Sequence, residues 1–109
     1  MPHADMPWVR DGEIVTAAGR RLRLDSPAWF AWLETISAFC YSSQDAIYWR
    51  MTVRCEKRRQ QQYWYGYARK ERQLHNIYLG KTEALTQARL EEGCRALTER
   101  ARKWKEASM

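Results

Sequence analysis

The chain has 109 residues, of which 45% are hydrophobic and 29% charged, with a formal net charge of +6. This length and composition predict a single folded domain over residues 1–109 and exclude an intrinsically disordered chain. No apolar run approaches the ~20 residues that a transmembrane helix needs, and the N-terminus lacks the basic and apolar segments of a signal peptide.

Residues 1–12 predict a flexible arm, and residues 13–45 predict a β-hairpin followed by a helix. The arm contains two prolines and no hydrophobic periodicity. Two short strand-like runs on either side of an Ala-Gly pair predict the hairpin. Ser26 then suits the N-cap of a helix and Pro27 its first turn. Apolar residues keep helical spacing from there through Cys40, so the helix is expected to bury one aromatic face.

Residues 46–81 predict a basic, aromatic, three-stranded antiparallel sheet. Apolar and polar residues alternate over 46–58, which is the period of a strand with one buried face. Two further strands follow at 63–69 and 74–80, separated by polar turns. This segment carries nine basic and two acidic residues, a net charge of +7, whereas the rest of the chain carries −1. The distribution predicts an anion-binding face on a nearly neutral scaffold.

Residues 83–106 predict a C-terminal helix. Thr86 suits its N-cap, and apolar residues then recur at intervals of four, three, four and three. These residues are Leu90, Cys94, Leu97, Ala101 and Trp104. The predicted fold is therefore α+β: a three-stranded antiparallel β-sheet packed against a C-terminal α-helix, with an N-terminal β-hairpin and helix.

Register parity divides the side chains of this sheet between two faces. The predicted pairs are Arg69 with Leu74, Tyr67 with Asn76, Tyr65 with Tyr78, Ala68 with His75, Gly66 with Ile77 and Trp64 with Leu79. The face that contains Trp64 is the more apolar, so we expect it to lie beneath the helix. The opposite face then carries Tyr48, Arg50, Thr52, Arg54, Tyr63, Tyr65, Tyr67, Arg69, Asn76 and Tyr78. Its border carries Lys57, Arg58, Arg59, Lys70, Arg72 and Lys81. We call this set of residues the tyrosine–arginine face.

The tyrosine–arginine face matches the chemistry of nucleic acid. Arginine pairs bidentately with guanine edges and phosphates, and tyrosine reaches phosphate oxygens or stacks on unpaired bases. We therefore predict a non-enzymatic nucleic-acid-binding protein, with duplex DNA favoured because a small sheet can enter the major groove. Other interpretations stay open: RNA or single-strand binding, a protein–protein adaptor that uses the same face, and cross-strand tyrosine pairs that only stabilise the sheet.

The stretch YWYGYARKERQLHNIYLGKTEALTQARLEE resembles the arm-type DNA-binding domain of tyrosine recombinases, the phage-type integrases. The shared order is an aromatic strand, a basic turn, a strand ending at Leu79-Gly80, and a helix opening at Leu85-Thr86. With the earlier SPAWFAWLE, the chain is also similar to an N-terminal segment of MalT-like regulators of the LuxR class. The resemblance implies a sheet inserted into the major groove and a role in a mobile element or as an accessory regulator. By this resemblance, the residues that correspond to the groove-facing residues of the family are Arg50, Arg54, Tyr65, Tyr67, Arg69 and Asn76.

No catalytic or metal-binding motif accompanies these residues. His3 and His75 are isolated, and the three cysteines lack ligand spacing, so we expect free buried thiols, no cofactor and no metal. Neither a catalytic recombinase segment nor a helix-turn-helix follows, which predicts a free-standing binding module. We expect a cytoplasmic, nucleoid-associated protein that acts without a membrane partner, alone or in a larger nucleoprotein complex.

Overall fold

The computed structural model describes residues 6–16, 18–45, 47–70 and 72–107, and of residues 104–107 the backbone alone. Within these residues one mixed sheet has the strand order β3-β2-β1-β4-β5-β6-β7. The strands are β1 (Trp8–Arg10), β2 (Glu13–Val15), β3 (Arg21–Arg23), β4 (Ala38–Tyr41), β5 (Met51–Arg58), β6 (Gln61–Lys70) and β7 (Gln73–Lys81). The helices are α1 (Pro27–Leu33) and α2 (Gln87–Ala107), and a 3₁₀ turn spans Thr82–Ala84.

The prediction of a separate three-stranded sheet is wrong, although the fold is α+β. The hairpin β2–β3 belongs to the same sheet as the basic strands, because β1 pairs antiparallel with β2 and parallel with β4. Strand β1 lies in the segment predicted to be a flexible arm, where it brings Trp8 opposite Cys40 and Val9 opposite Tyr41. Residues 1–5 of that arm lie outside the described residues.

The first helix is shorter than its apolar spacing predicts. Ser26 is its N-cap and accepts a hydrogen bond from the Trp29 amide at 3.2 Å, as expected, but the helix ends at Leu33. Ala38–Tyr41 forms β4 instead, with Phe39 and Tyr41 buried. Ile36 and Phe39 are three residues apart, as in a helical stripe, whereas Phe39 and Tyr41 alternate, as in a strand. This short segment is therefore compatible with both periods. Pairing with β1 and β5 selects the strand.

Strands β5 to β7 form the predicted antiparallel meander. Five of the six predicted β6–β7 pairs are confirmed, including Tyr65 with Tyr78 and Arg69 with Leu74. The sixth is wrong, because an irregularity between Trp64 and Tyr65 moves Trp64 opposite Gly80. The prediction that Trp64 is internal is confirmed, since none of its surface is exposed.

The core lies between one face of the sheet and the two helices. Phe39 sits between two indoles, with its ring centroid 5.4 Å from that of Trp29 and 5.9 Å from that of Trp64. The helix α2 begins after Thr86 and covers β6 and β7 with its apolar stripe. The buried members of that stripe are Leu90, Cys94, Leu97 and Ala101. The side chain of Trp104 lies outside the described residues.

Helix α2 also covers the outer edge of β7. The Arg89 guanidinium donates hydrogen bonds to the carbonyl oxygens of Leu79 at 2.9 Å and Tyr78 at 2.8 Å. The Arg100 guanidinium donates to the carbonyl oxygen of Asn76. These bonds occupy backbone acceptors of an edge strand that would otherwise be available to pair with another chain.

A carboxylate on α2 anchors the segment that leaves β4. Glu91 accepts hydrogen bonds from the Tyr41 hydroxyl at 2.7 Å, the Ser43 hydroxyl at 2.8 Å and the Gln44 amide at 2.7 Å. Burial, followed by the hydrogen bond and charge of Glu91, raises the pKa of Tyr41 well above its ordinary value. The phenol is therefore held in its protonated form.

We expect Tyr41→Phe to lower the free energy of unfolding at pH 7 by about 1–3 kcal/mol, because a carboxylate loses a buried donor. Since the folded pKa is raised, the contribution of the phenol is fully present below the unfolded value of about 10 and is lost as the pH rises further. The difference between the two proteins should therefore shrink above about pH 10. Urea unfolding of both proteins below and above about pH 10 measures this difference in the free energy of unfolding. A difference that does not change with pH would contradict the proposed stabilisation by the Tyr41 phenol.

Candidate nucleic-acid interface

The tyrosines of β6 and β7 lie on the sheet face opposite the core. Tyr63, Tyr65 and Tyr67 alternate with buried residues along β6 and are half-buried, whereas Tyr78 is 45% exposed. The rings of Tyr65 and Tyr78 touch across the strands, with centroids 5.3 Å apart and planes tilted by 56°. No hydrogen bond joins the hydroxyl groups of these four tyrosines to another described residue.

Exposed polar side chains surround these rings on the same strands. Arg54 faces Tyr65 across β5 and β6, and Asn76 faces Tyr67 across β6 and β7. Arg69 is the residue before the last one of β6. Their positions agree with the parity prediction, and each of the three is exposed.

Two residues predicted on the first strand of the face, Tyr48 and Arg50, do not lie on a strand. Tyr48 and Arg50 precede β5, which begins at Met51 rather than at residue 46. Tyr48 packs against the core cluster, so its prediction as an outward residue is wrong. The reason is a bend before β5, which interrupts the alternation that the sequence pattern suggests. Arg50 is exposed and reaches the ring of Trp8, with 5.2 Å between its Cζ and the ring centroid.

The β5–β6 hairpin carries three basic residues to one end of the face. Arg59 and Gln60 form its two-residue turn, with φ of 49° and 70°. Positive φ at both positions matches the turn whose twist suits a hairpin. The last residue of β5 with a partner on β4 is Arg54, and β7 ends opposite Tyr63. Residues 57–62 therefore continue as a two-stranded ribbon, which we call the basic ribbon. Its cations are Lys57, Arg58 and Arg59, all exposed.

A shallow groove of about 480 Å³ joins the basic ribbon to the tyrosines. Its lining residues are Arg58, Arg59, Tyr63, Tyr65 and Tyr78. None of these carries a negative charge. The nearest ion pair joins Arg58 to Glu56 at 3.1 Å, and both side chains are largely in water, so this pair holds the guanidinium weakly. The groove presents aromatic and cationic surface together.

The remaining border cations lie at the ends of strands and turns. Lys81 closes β7 opposite Tyr63, and Arg72 occupies the β6–β7 turn with a φ of 68°. Lys70 ends β6, with its Nζ 4.9 Å from the centroid of the Trp49 ring. Both Lys81 and Arg72 are exposed.

A second hollow, of about 380 Å³, lies at the other end of the face, where β1 and β4 meet β5 and β6. We call it the Trp8 pocket. Its walls include Trp8, Trp49, Arg50, Tyr67, Arg69 and Lys70. Trp8 and Trp49 are not among the site residues predicted from the sequence. Trp8 lay in the predicted arm, and no local pattern indicates that β1 pairs with β4.

The whole sheet is too wide to enter a DNA groove flat. Seven strands at the usual spacing span about 29 Å between the outer backbones, whereas the major groove of B-DNA is about 12 Å wide. The expectation that a small sheet enters the groove was based on three strands standing alone. Only the basic ribbon, with two strands, has the dimensions of a groove-entering element.

The three cysteines are free, and they differ in environment. Cys94 is fully buried, and burial with the nearby charge of Glu91 raises the pKa of its thiol to about 12. Cys40 and Cys55 are partly exposed, so the expectation of buried thiols is correct for Cys94 alone. Burial also raises the pKa of Cys55. Across the described residues, no group of three or more His, Cys, Asp or Glu side chains is placed to hold a metal ion.

No helix in the described part of the chain is long and apolar enough to cross a membrane. Comparisons with protein-family models, with curated proteins and with solved structures found no match to this chain.

Proposed function

We propose that this protein binds nucleic acid without catalysis, and that its ligand is duplex DNA held by the tyrosine–arginine face. The observation that carries the proposal is the basic ribbon continuing directly into a groove of tyrosines and arginines. The resemblance to arm-type domains supports a role as an accessory or regulatory factor of a mobile element.

The shape of the ribbon favours a duplex. A two-stranded β-ribbon fits the major groove, and positive charges at its tip and edges would face the two phosphate backbones. In this arrangement the phosphates are met by Lys57, Arg58, Arg59, Lys70, Arg72 and Lys81. Base edges or sugars are met by Arg50, Arg54, Tyr65, Tyr67, Arg69 and Asn76.

The broad open face favours a second candidate, a single-stranded nucleic acid. Partly exposed tyrosines on an open sheet face form a platform on which unpaired bases can stack. The ring contact between Tyr65 and Tyr78 pre-forms part of that platform. Because this candidate uses the same residues, only a comparison of the affinities for duplex and single-stranded nucleic acid can discriminate between the two ligands.

The test is fluorescence anisotropy with labelled duplex DNA, single-stranded DNA and structured RNA at two salt concentrations. A duplex ligand should bind more tightly than its separated strands, with an affinity that falls steeply as salt rises. Tighter binding of single strands would select the stacking candidate. No affinity for any of the three polymers would remove nucleic acid and favour a protein partner on this face.

Two neighbouring substitutions separate base recognition from phosphate contact. Arg69→Ala should cost about 1–3 kcal/mol of binding on the preferred sequence and relax specificity at one position. Lys70→Ala should weaken all sequences about equally and reduce the salt slope by about one unit. Anisotropy titrations on specific and random duplexes measure both effects. If neither substitution changes affinity, the face has been assigned wrongly.

A further inference from the structure

The Trp8 pocket combines a rigid aromatic wall with several cations. The Trp8 indole donates a hydrogen bond to the Ser42 hydroxyl at 2.6 Å, which fixes the ring against the segment after β4. The backbone amide of Trp49 donates to the Thr98 hydroxyl at 3.0 Å, which ties the opposite wall to α2. The Trp8 ring and the backbone at Trp49 are therefore held by parts of the fold remote in sequence, which favours a preorganised pocket.

The cations of the pocket rest on these indoles. Arg50, which lines the pocket, has its Cζ atom 5.2 Å from the centroid of the Trp8 ring. Arg10 does not line the pocket but also packs on this ring, with its Cζ atom 4.4 Å from the same centroid. Lys70 approaches the Trp49 ring in the same way. A guanidinium packed over a ring keeps its in-plane N–H donors free, so the stack orients Arg50 without occupying its donors. Arg50, Arg69 and Lys70 form no ion pair with another described residue.

The described residues that line the pocket include no carboxylate. Within the described part of the chain, three cations converge there without a counter-charge, which favours an anionic ligand. A bare phosphate would leave most of the roughly 380 Å³ empty. This volume falls in the range of small-molecule sites, and an aromatic wall suits a planar ring attached to the anion.

We propose that the Trp8 pocket binds one nucleoside phosphate, with its phosphate held by Arg50, Arg69 and Lys70 and its base against the aromatic wall. The nucleotide has two possible sources: a free nucleotide, or an unpaired residue of a bound strand. The second source rests on the function proposed above. Arg50 and Arg69 would then hold the phosphate of the unpaired nucleotide, whereas on a fully paired duplex they face base edges or sugars. A hollow on the same face as the ribbon, at its other end, would then let the protein distinguish duplexes that carry an unpaired nucleotide from fully paired ones.

Cys40 provides a reporter, because it lines the pocket and is partly exposed. Each nucleoside monophosphate should slow alkylation of Cys40 by iodoacetamide, followed residue by residue with mass spectrometry. A dissociation constant near 0.2 mM would give about sixfold slowing at 1 mM nucleotide, by mass action. Cys55 does not line the pocket and is the internal control, and buried Cys94 should label only after unfolding.

Two variants make the assignment specific. R50Q removes one phosphate donor and should abolish most of the protection. T52M adds bulk to a half-buried wall residue and should block the nucleotide without changing the charge. Inorganic phosphate at the same concentration should protect Cys40 at least about fivefold less than the nucleotide. Equal protection by phosphate, or no protection by any nucleotide, would overturn the proposal.

Two DNA probes separate the sources of the nucleotide. A duplex with one unpaired nucleotide should bind more tightly than its fully paired parent and should protect Cys40 where the parent does not. Protection by free nucleotides with no preference between the duplexes would assign the site to free nucleotides. Polynucleotide binding with no protection of Cys40 by any nucleotide or duplex removes the pocket alone. Protection without any polynucleotide binding supports the pocket and removes the function proposed for the ribbon.

Discussion

Replacing Lys57, Arg58 and Arg59 together by glutamine should weaken duplex DNA binding on the order of 10²-fold at 0.1 M salt. The three cations lie on the basic ribbon, exposed to water, so their removal should leave the core intact. Each phosphate contact releases a condensed counterion, and three lost contacts should reduce the slope of log affinity against log salt by about 2.7. Anisotropy titrations between 50 and 200 mM salt measure both quantities.

The chain offers a matched control for this triple substitution at the far edge of the sheet. Arg20, Arg21 and Arg23 are also exposed, and their replacement by glutamine changes the net charge by the same amount. Strand β3, which contains Arg21 and Arg23, lies four strands away from β5. If binding depends on the ribbon, the control triple should lose only a few-fold in affinity. Equal losses in the two triples would mean that net charge rather than the ribbon determines binding.

The second large effect is expected in the core. Trp64→Ala should lower the free energy of unfolding by about 3–5 kcal/mol, a large part of the 5–15 kcal/mol typical of a domain. The Trp64 side chain is fully buried, packs against Phe39 and donates a hydrogen bond from its indole to the Thr82 hydroxyl at 2.9 Å. Its removal leaves a cavity between the sheet and the residues that lead into α2. Urea unfolding followed by circular dichroism measures the loss.

The next residue along β6 is the control for Trp64→Ala. Tyr65 lies on the opposite face, half-buried, so Tyr65→Ala should cost little more than its ring contact with Tyr78, about 1 kcal/mol. The same substitution should weaken nucleic-acid binding. A stability loss for Tyr65→Ala as large as that for Trp64→Ala would show that the tyrosine row serves the fold, and would leave the face without its proposed role.

These two adjacent residues show how far local pattern predicts this molecule. The alternation along β6 assigned Trp64 to the core and Tyr65 to the outer face, and the pairing with β7 follows the predicted register as far as Tyr65. The caps of both helices were also predictable, because Ser26 and Thr86 satisfy backbone amides within three residues of themselves. The irregularity between Trp64 and Tyr65 could not be predicted, because the alternation along β7 continues through Leu79 and so gives no sign of a shift in register.

Local pattern failed where strands are short and their partners distant. Three residues of β1 carry too little alternation to indicate a strand. Phe39 fits a helical stripe together with Ile36 and a strand together with Tyr41. The parallel pairing of β1 with β4 joins residues 32 positions apart along the chain, such as Trp8 and Cys40. That pairing places three residues of the predicted arm and the end of the predicted first helix in the middle of the sheet.

The amino-acid sequence by itself determined the two faces of the basic strands, the concentration of charge between residues 46 and 81, and the residues that begin each helix. Each of these depends on neighbours within a few positions, where backbone geometry leaves few choices. The tertiary structure alone decided the seven-stranded sheet, the projection of the basic ribbon beyond β4, and the Trp8 pocket. These features depend on which distant segments of the chain pack against each other, and local sequence patterns do not contain that information.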